Sequence, residues 1–290
     1  MMARLMKFEP CIFALAALAL ISCSTYATVD PSEKLIIRAD RLFAPITIAG
    51  NKTVAAIDSA AEITFVDTTY AESIGLELFG EQIGKGTGGT AQVRFAQGVP
   101  VVALGQPIGE LTVAALDLSD ISERLIGAPL TVVLGRELFD GDRIEVDIRG
   151  KSIRRSSREN TPPGVVLNLK TRNGVETMNA SVNGQPPVNA ELDLGNGSEV
   201  LIGAAYAAQL GLLKEENIID RRKGGGVGGP IERDIIILDE LEVAGVKFKK
   251  VEAAVDNTAN AAALNLGVKA LRNFLITADF SERTIWLAAY

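Results

Sequence analysis

The 290-residue sequence contains no histidine, and its two cysteines, Cys11 and Cys23, both lie near the N-terminus. Without histidine the chain cannot form a Ser-His-Asp triad, a Cys-His pair or a zinc site with histidine ligands. These absences exclude most hydrolase chemistries. If the protein is a hydrolase, three chemistries remain: carboxylate chemistry, a Ser-Lys pair, or a metal held by oxygen ligands. The Ser-Lys pair is the least favoured because no Ser and Lys share a repeated position.

Residues 1–27 have the features of an export signal, since two basic residues precede the apolar run 11–21 and small residues follow it. That run is shorter than the roughly 20 apolar residues that a membrane-spanning helix needs. Two processing sites compete, a lipobox ending at Cys23 and an A-x-A-type site ending at Ala27. We therefore expect an exported protein, either in the periplasm or as an outer-membrane lipoprotein that touches the membrane only through a lipid on Cys23.

The mature chain should be acidic and free of disulfides. Removal of residues 1–27 takes away two positive charges and one negative charge, so the net charge of −7 becomes −8. An acidic surface argues against nucleic acid and anionic lipid as partners. About 263 residues remain, and the overall apolar content of 47% is enough for a sizeable core.

One stretch occurs twice. Residues 54–76 read VAAIDSAAEITFVDTTYAESIGL, and residues 188–212 read VNAELDLGNGSEVLIGAAYAAQLGL. In both copies an apolar run leads to an aspartate, Asp58 or Asp193, which is followed by small residues, a second apolar run and an Ala-rich segment. The segment closes on Gly-Leu, 17 residues after the first aspartate and 18 after the second. Such self-similarity is typical of an internal duplication.

The ends of the two copies also agree. The sequence VVLG ends at Gly135 and LNLG ends at Gly267, and an aspartate follows each glycine at a distance of twelve residues. The polar, Pro-rich segment 156–162 has no periodicity and is predicted to be a linker. The chain is thus predicted to comprise two β-rich halves, 28–155 and 163–290, related by a pseudo-twofold axis.

Turn residues and glycines also recur. Gly50-Asn51 and Asn183-Gly184 are flanked by alternating apolar residues, which predicts a β-hairpin before each aspartate. The Gly-rich tracts 84–89 and 224–229 follow each Gly-Leu pair. Each tract is either a flexible loop or a mobile hairpin that closes over a cleft. A phosphate-binding loop is disfavoured because neither tract has the G-x-x-x-x-G-K-[ST] order.

These residues resemble the aspartic proteases, and in particular their retropepsin-like bacterial members. The family pattern is Asp-Thr/Ser-Gly-Ala at a strand end, a flap hairpin, and two apolar residues with a glycine near the end of each lobe. The chain has Asp58-Ser59-Ala60-Ala61 in one half and Asp193-Leu194-Gly195-Asn196 in the other. The resemblance implies an all-β, bilobal acid-protease-like fold, made from two tandem retropepsin-like repeats with a few short helices.

The resemblance also implies an aspartic endopeptidase with a catalytic residue from each lobe, Asp58 and Asp193. Two carboxylates about 3 Å apart share one proton, so one can take a proton from water while the other polarises the peptide carbonyl. Peptide or protein would be the substrate, with no cofactor, no metal and no dimer required. The residues implied to support the loops are Ser59, Ala60, Leu194 and Gly195, and those implied to form the flaps are Gly86, Thr87, Gly88, Gly226, Val227 and Gly228.

Two positions depart from the family pattern. Ser59 has the hydroxyl that braces the opposite loop in the family, whereas Leu194 has none. Ala60 replaces a glycine and restricts φ where the loop is tight. A second hypothesis therefore stays open, in which the protein is catalytically impaired and binds peptides or a partner protein in its cleft.

Overall fold

The computed structural model describes residues 32–290. The predicted export signal 1–27, with Cys11 and Cys23, lies outside the described residues. Within 32–290 none of the helices combines the length and the apolar character that crossing a bilayer would require.

The first half is built almost entirely of strands that alternate between buried and exposed side chains, as half-buried sheet does. Its long strands are rich in Val, Ile, Thr and Phe, which fit a pleated surface. The strands are β1 (Glu33–Lys34), β2 (Ile36–Arg38), β3 (Arg41–Ile48), β4 (Asn51–Ile57), β5 (Phe65–Asp67), β6 (Phe79–Gly86), β7 (Gly89–Ala103), β8 (Gln106–Leu116), β9 (Val132–Leu134), β10 (Ile144–Asp147) and β11 (Ser152–Arg155).

The second half repeats this pattern, and nine residues separate its first strand from the last strand of the first half. The predicted linker 156–162 lies in that interval. The strands are β12 (Val165–Asn168), β13 (Lys170–Arg172), β14 (Val175–Val182), β15 (Val188–Leu192), β16 (Val200–Gly203), β17 (Ile218–Gly224), β18 (Ile231–Val243), β19 (Val246–Asp256), β20 (Leu264–Leu266), β21 (Phe274–Asp279) and β22 (Thr284–Ala289).

The helical segments are short. An aspartate caps the first of them, because the Asp67 carboxylate accepts a hydrogen bond from the Tyr70 backbone N–H. The segments are α1 (Thr68–Ser73), α2 (Ser119–Ile121), a π-helical turn (Ser122–Ile126), α3 (Glu137–Gly141), α4 (Ala204–Gln209), a 3₁₀ turn (Glu215–Asn217) and α5 (Val268–Leu271).

Each half forms one eight-stranded sheet, and the two sheets have equivalent strand orders. The first is β2-β3-β4-β9-β5-β8-β7-β6, and the second is β13-β14-β15-β20-β16-β19-β18-β17. A third, six-stranded sheet, β1-β11-β10-β21-β22-β12, takes three strands from each half and joins them where β10 pairs with β21. This symmetry about one strand pair confirms the predicted all-β, bilobal fold with few helices.

A hairpin precedes each aspartate, as predicted. The second turn uses Asn183 and Gly184, whose φ angles of 52° and 70° are left-handed. The first turn lies one residue earlier than predicted, at Ala49 and Gly50, with φ of 47° and 78°. The reason is the register, since Ile48 pairs with Asn51 and leaves only Ala49 and Gly50 in the loop.

One apolar core runs through both halves and the shared sheet. Phe139 of the first half stacks on Phe280 of the second, with ring centroids 5.1 Å apart. Both rings are buried. The two halves are therefore held together by side-chain packing as well as by the β10–β21 pairing, which gives the loops between them a fixed relative position.

Candidate active site

The two repeated aspartates occupy equivalent positions, one residue past the ends of β4 and β15. The Asp58 backbone N–H donates to the Leu134 carbonyl at 3.0 Å, and that of Asp193 donates to the Leu266 carbonyl at 3.1 Å. Leu134 and Leu266 come directly before the glycines that mark the end of each repeat. In each half, the aspartate of the repeat is thus hydrogen-bonded to the residue before the glycine that ends the same repeat, and this bond fixes where the aspartate loop begins.

Each aspartate accepts two backbone hydrogen bonds from its own loop. Asp58 Oδ1 accepts from Ala60 N at 2.9 Å and from Ala61 N at 3.1 Å. Asp193 Oδ1 accepts from Gly195 N and Asn196 N, both at 3.0 Å. Ala60 and Gly195 therefore contribute the same backbone donor, as the resemblance implies.

The two loops meet. A Cβ atom added at Gly195 would overlap the Asp58 carboxylate, so glycine is needed here for close approach and not for an unusual φ. Ala60, the equivalent residue, is absent from the positive-φ residues of the described chain. The expected restriction of φ by the alanine is therefore wrong at this position, because the backbone conformation is one that alanine adopts freely.

Both carboxyl groups have raised pKa values. Burial, and next the charge of Asp193, raises the pKa of Asp58 to about 7. Burial also raises the pKa of Asp193, against hydrogen bonds that favour its ionised form. Two facing carboxyl groups that resist simultaneous ionisation can hold one proton between them.

Ser59 braces the loops across the interface of the two halves. Its buried Oγ donates to the Leu192 carbonyl at 2.8 Å and accepts from the Leu194 N–H at 3.0 Å. Leu194 returns no such bond, and its side chain is packed in the main core. The reciprocal brace of the family is thus one-sided here.

The two Gly-rich tracts lie at the tips of equivalent hairpins, β6–β7 and β17–β18, and the tips touch. The Gly88 N–H donates to the Val227 carbonyl at 2.9 Å. Added Cβ atoms at Gly86 and Gly228 would overlap the opposite tip, and one at Gly226 would come within 2.6 Å of the Thr87 hydroxyl. All six predicted flap residues therefore lie together.

Arg124, which sequence reasoning missed, ties the second flap to the first half. Its guanidinium donates to the carbonyl of Gly224 at 2.9 Å and to those of Gly225 and Gly226 at 3.3 Å. It also pairs with Asp120 at 2.7 Å. Arg124 lies on the π-helical turn after α2, and the second half has no comparable turn that would have suggested its role.

Arg41 is a second missed cation. It donates to the carbonyls of Ala39 and Leu125 at 3.0 and 3.1 Å. Burial lowers the pKa of its guanidinium, while the negative charge of Asp193 and, to a smaller extent, Asp58 raises it. Arg41 therefore supplies positive charge near the two carboxyl groups.

Asn265 was also missed. Its Nδ2 donates to Asp193 Oδ2 at 2.8 Å and to Glu191 Oε2 at 3.2 Å. The residue in the equivalent register position of the first half is Val133. The signal was present in the sequence, where VVLG of one copy is matched by LNLG of the other.

The surfaces that flank the two aspartates also differ in polarity: the one in the first half is apolar, and the one in the second half is polar. In the first half, one apolar cluster, against which Val227 of the opposite flap packs, includes Ala56, Val93, Leu116 and Val133. We call these four residues the apolar wall. Their register equivalents in the second half form the polar wall: Glu191, Arg233, Asp256 and Asn265.

A family model described as aspartyl protease matches residues 44–138 and 178–271. Two matches to one family model, in equivalent parts of the two halves and together covering more than half of the chain, show that the chain belongs to the aspartyl protease family. The resemblance stated from sequence is confirmed.

Among solved structures, one similar to this chain is described as a retropepsin-like aspartic protease from Rickettsia conorii. It shares 21% sequence identity, and the match covers 42% of this chain and 88% of that chain with a TM-score of 0.35. No curated protein matches the sequence.

Proposed function

We propose that this protein is an exported aspartic endopeptidase in which Asp58 and Asp193 activate a water molecule that hydrolyses a peptide bond. The observation that carries the proposal is the pair of buried aspartates at equivalent loop ends, each held by two backbone N–H groups. A general acid and a general base of the same residue type need environments that hold one proton between them. Membership of the aspartyl protease family supports this reading.

The asymmetry of the site supports different roles for the two aspartates. Asp193 accepts an additional hydrogen bond from Asn265 on Oδ2, which favours its ionised form. The pKa of Asp58 is also raised, to about 7, and no side chain in residues 32–290 donates to its carboxylate. Asp193 is therefore the base that takes a proton from water, and Asp58 is the acid that donates to the carbonyl oxygen of the substrate.

The remaining site residues position these groups. Ser59 fixes one loop against the other, and Ala60 and Gly195 supply backbone donors. The flap tips contact each other and would offer backbone groups to an extended peptide. Export rests on the leader 1–27, and attachment to a membrane would go through a lipid on Cys23.

The direct test is cleavage of an unfolded protein by the purified enzyme across about pH 3 to 9. We expect cleavage that is blocked by a hydroxyl-containing transition-state mimic. Activity should fall as the pH rises through about 7, because the proton on Asp58 is lost there. A folded protein that binds peptides but cleaves none at any pH would favour the second hypothesis, a catalytically impaired peptide-binding protein, for which the missing hydroxyl at Leu194 is the supporting observation.

A further inference from the structure

The polar wall occupies the place of the apolar wall around the second aspartate. On β4, Ala56 is two residues before Asp58, and on β15, Glu191 is two residues before Asp193. Side chains two residues apart on a strand point to the same face of the sheet. Glu191 therefore shares the face of Asp193, where the first half has only a methyl group.

The two oppositely charged, buried members of the polar wall, Arg233 and Asp256, largely neutralise each other. Arg233 Nη2 lies 3.7 Å from Asp256 Oδ1, and both side chains are buried. Asp256 Oδ1 also accepts from the Thr258 N–H at 3.0 Å. Arg233 Nε and Nη2 have no hydrogen-bond partner among the described residues and no exposed surface, so they present no donors at the surface of the wall.

Glu191, in contrast, is half-buried and has no ion-pair partner among the described residues. It makes no ion pair within 4 Å in residues 32–290, and its hydrogen-bonded side-chain partner is the neutral Asn265. Burial, with smaller contributions from the charges of Asp193 and Asp256, raises the pKa of Glu191, and Arg172 lowers it. Two acidic neighbours, Asp193 and Asp256, act on this carboxyl group against one basic neighbour, Arg172, so the balance of charge is negative and favours a cation.

We propose that the polar wall is a substrate subsite for a basic side chain, lysine or arginine, which is recognised by the carboxylate of Glu191. The inference rests on the proposed function, because it places an extended peptide across the two aspartates. A scissile bond on the pseudo-twofold axis directs the residues on its two sides toward opposite halves. One flanking residue of the substrate then meets the apolar wall, and the other meets Glu191.

Peptides of one sequence, with Lys, Gln, Leu or Glu at each of the two positions flanking the scissile bond, test this. A charge-assisted hydrogen bond in a partly buried site should favour Lys over Leu by roughly 10- to 100-fold in kcat/KM at one position. Leu should be preferred at the other. Glu191→Ala, which introduces the residue of the first half, should abolish the Lys preference, and Glu191→Asp should retain part of it.

Glu110→Ala is the matched control, since it removes one negative charge from an exposed position on β8. It should leave the Lys-to-Leu ratio unchanged. A Leu or Glu preference at both positions, or a Lys preference that survives in Glu191→Ala, would overturn the proposal.

Binding of the same peptides to Asp58→Asn separates this inference from the proposed function. Lys-selective binding that depends on Glu191, in a protein whose parent cleaves nothing, would refute the protease and retain the subsite. Cleavage by the parent enzyme together with unselective binding would refute the subsite and retain the protease.

Discussion

The two halves have the same strand order and the same aspartate loop, but their cleft-facing side chains differ. Ile57 and Leu192, the buried residues that lead into the loops, are both apolar, whereas Ala56 and Glu191 beside them are not alike. Strand pairing and core packing require apolar side chains at the buried positions of both copies. Residues that face the cleft are free of that constraint, and one copy has an apolar surface there whereas the other carries charges.

The two aspartate loops are likewise equivalent in their backbone contacts and different in their side-chain contacts. Both aspartates keep their two backbone donors, while the brace between the loops depends on Ser59 alone. Leu194 is almost fully buried and contributes packing in place of a hydrogen bond. The side-chain support between the two loops is therefore one-sided, whereas the backbone support of the two aspartates is two-sided.

Among the changes that probe the difference between the two loops, the largest effect on catalysis is expected at the equivalent positions Gly195 and Ala60. Gly195→Ala places a methyl group against the Asp58 carboxylate and should lower kcat/KM about 100-fold or more, because a misplaced catalytic group costs that much. The reverse exchange, Ala60→Gly, should change the free energy of unfolding by about 1 kcal/mol or less. Kinetics and denaturant unfolding of both variants measure this, and equal losses of activity would contradict the asymmetry.

The next effect concerns stability and pH. The pKa of Asp58 is raised to about 7 in the folded protein, so the folded state binds more protons than the unfolded chain between about pH 4 and 7. The free energy of unfolding should therefore fall over that range, by up to about 4 kcal/mol. Asp58→Asn should remove much of the fall. A stability that rises with pH in this window would show that burial does not control Asp58.

A smaller loss is expected when the brace is removed. Ser59→Ala deletes two buried hydrogen bonds and leaves the Leu194 N–H without a partner, which should cost about 2–3 kcal/mol in the free energy of unfolding. Leu194→Met, which conserves side-chain volume, should cost less than about 1.5 kcal/mol. Urea unfolding of both variants is the measurement, and a larger loss in Leu194→Met would show that packing, not Ser59, joins the loops.

The smallest effect is a shift of the pH profile. Asn265→Val gives the second half the residue of the first and removes a donor to Asp193. The pKa of Asp193 should rise, so the acidic limb of kcat/KM should move to higher pH by about 1 unit. Movement of the alkaline limb alone would assign the base to Asp58 instead.

The sequence predicted those parts of the site that are local. The sequence could predict the two aspartates, the hairpins and the flap tips because each is a short segment that occurs in both halves. The first hairpin turn lies one residue away from its predicted position because Ala49 adopts a left-handed φ. Asn265, Arg41 and Arg124 were missed, since each acts on residues more than 70 positions away along the chain. Which strands pair, and in which register, decides such contacts.

The central claim is that Asp58 and Asp193 act as one unit. It is tested most directly by kcat/KM of Asp58→Asn, Asp193→Asn and the double variant on one peptide. We expect each single variant to lose at least about 1,000-fold, and the double variant to lose no more than the worse single variant, because residues that share one step are not additive. A single variant that keeps most of its activity, or losses that multiply in the double variant, would contradict the shared dyad.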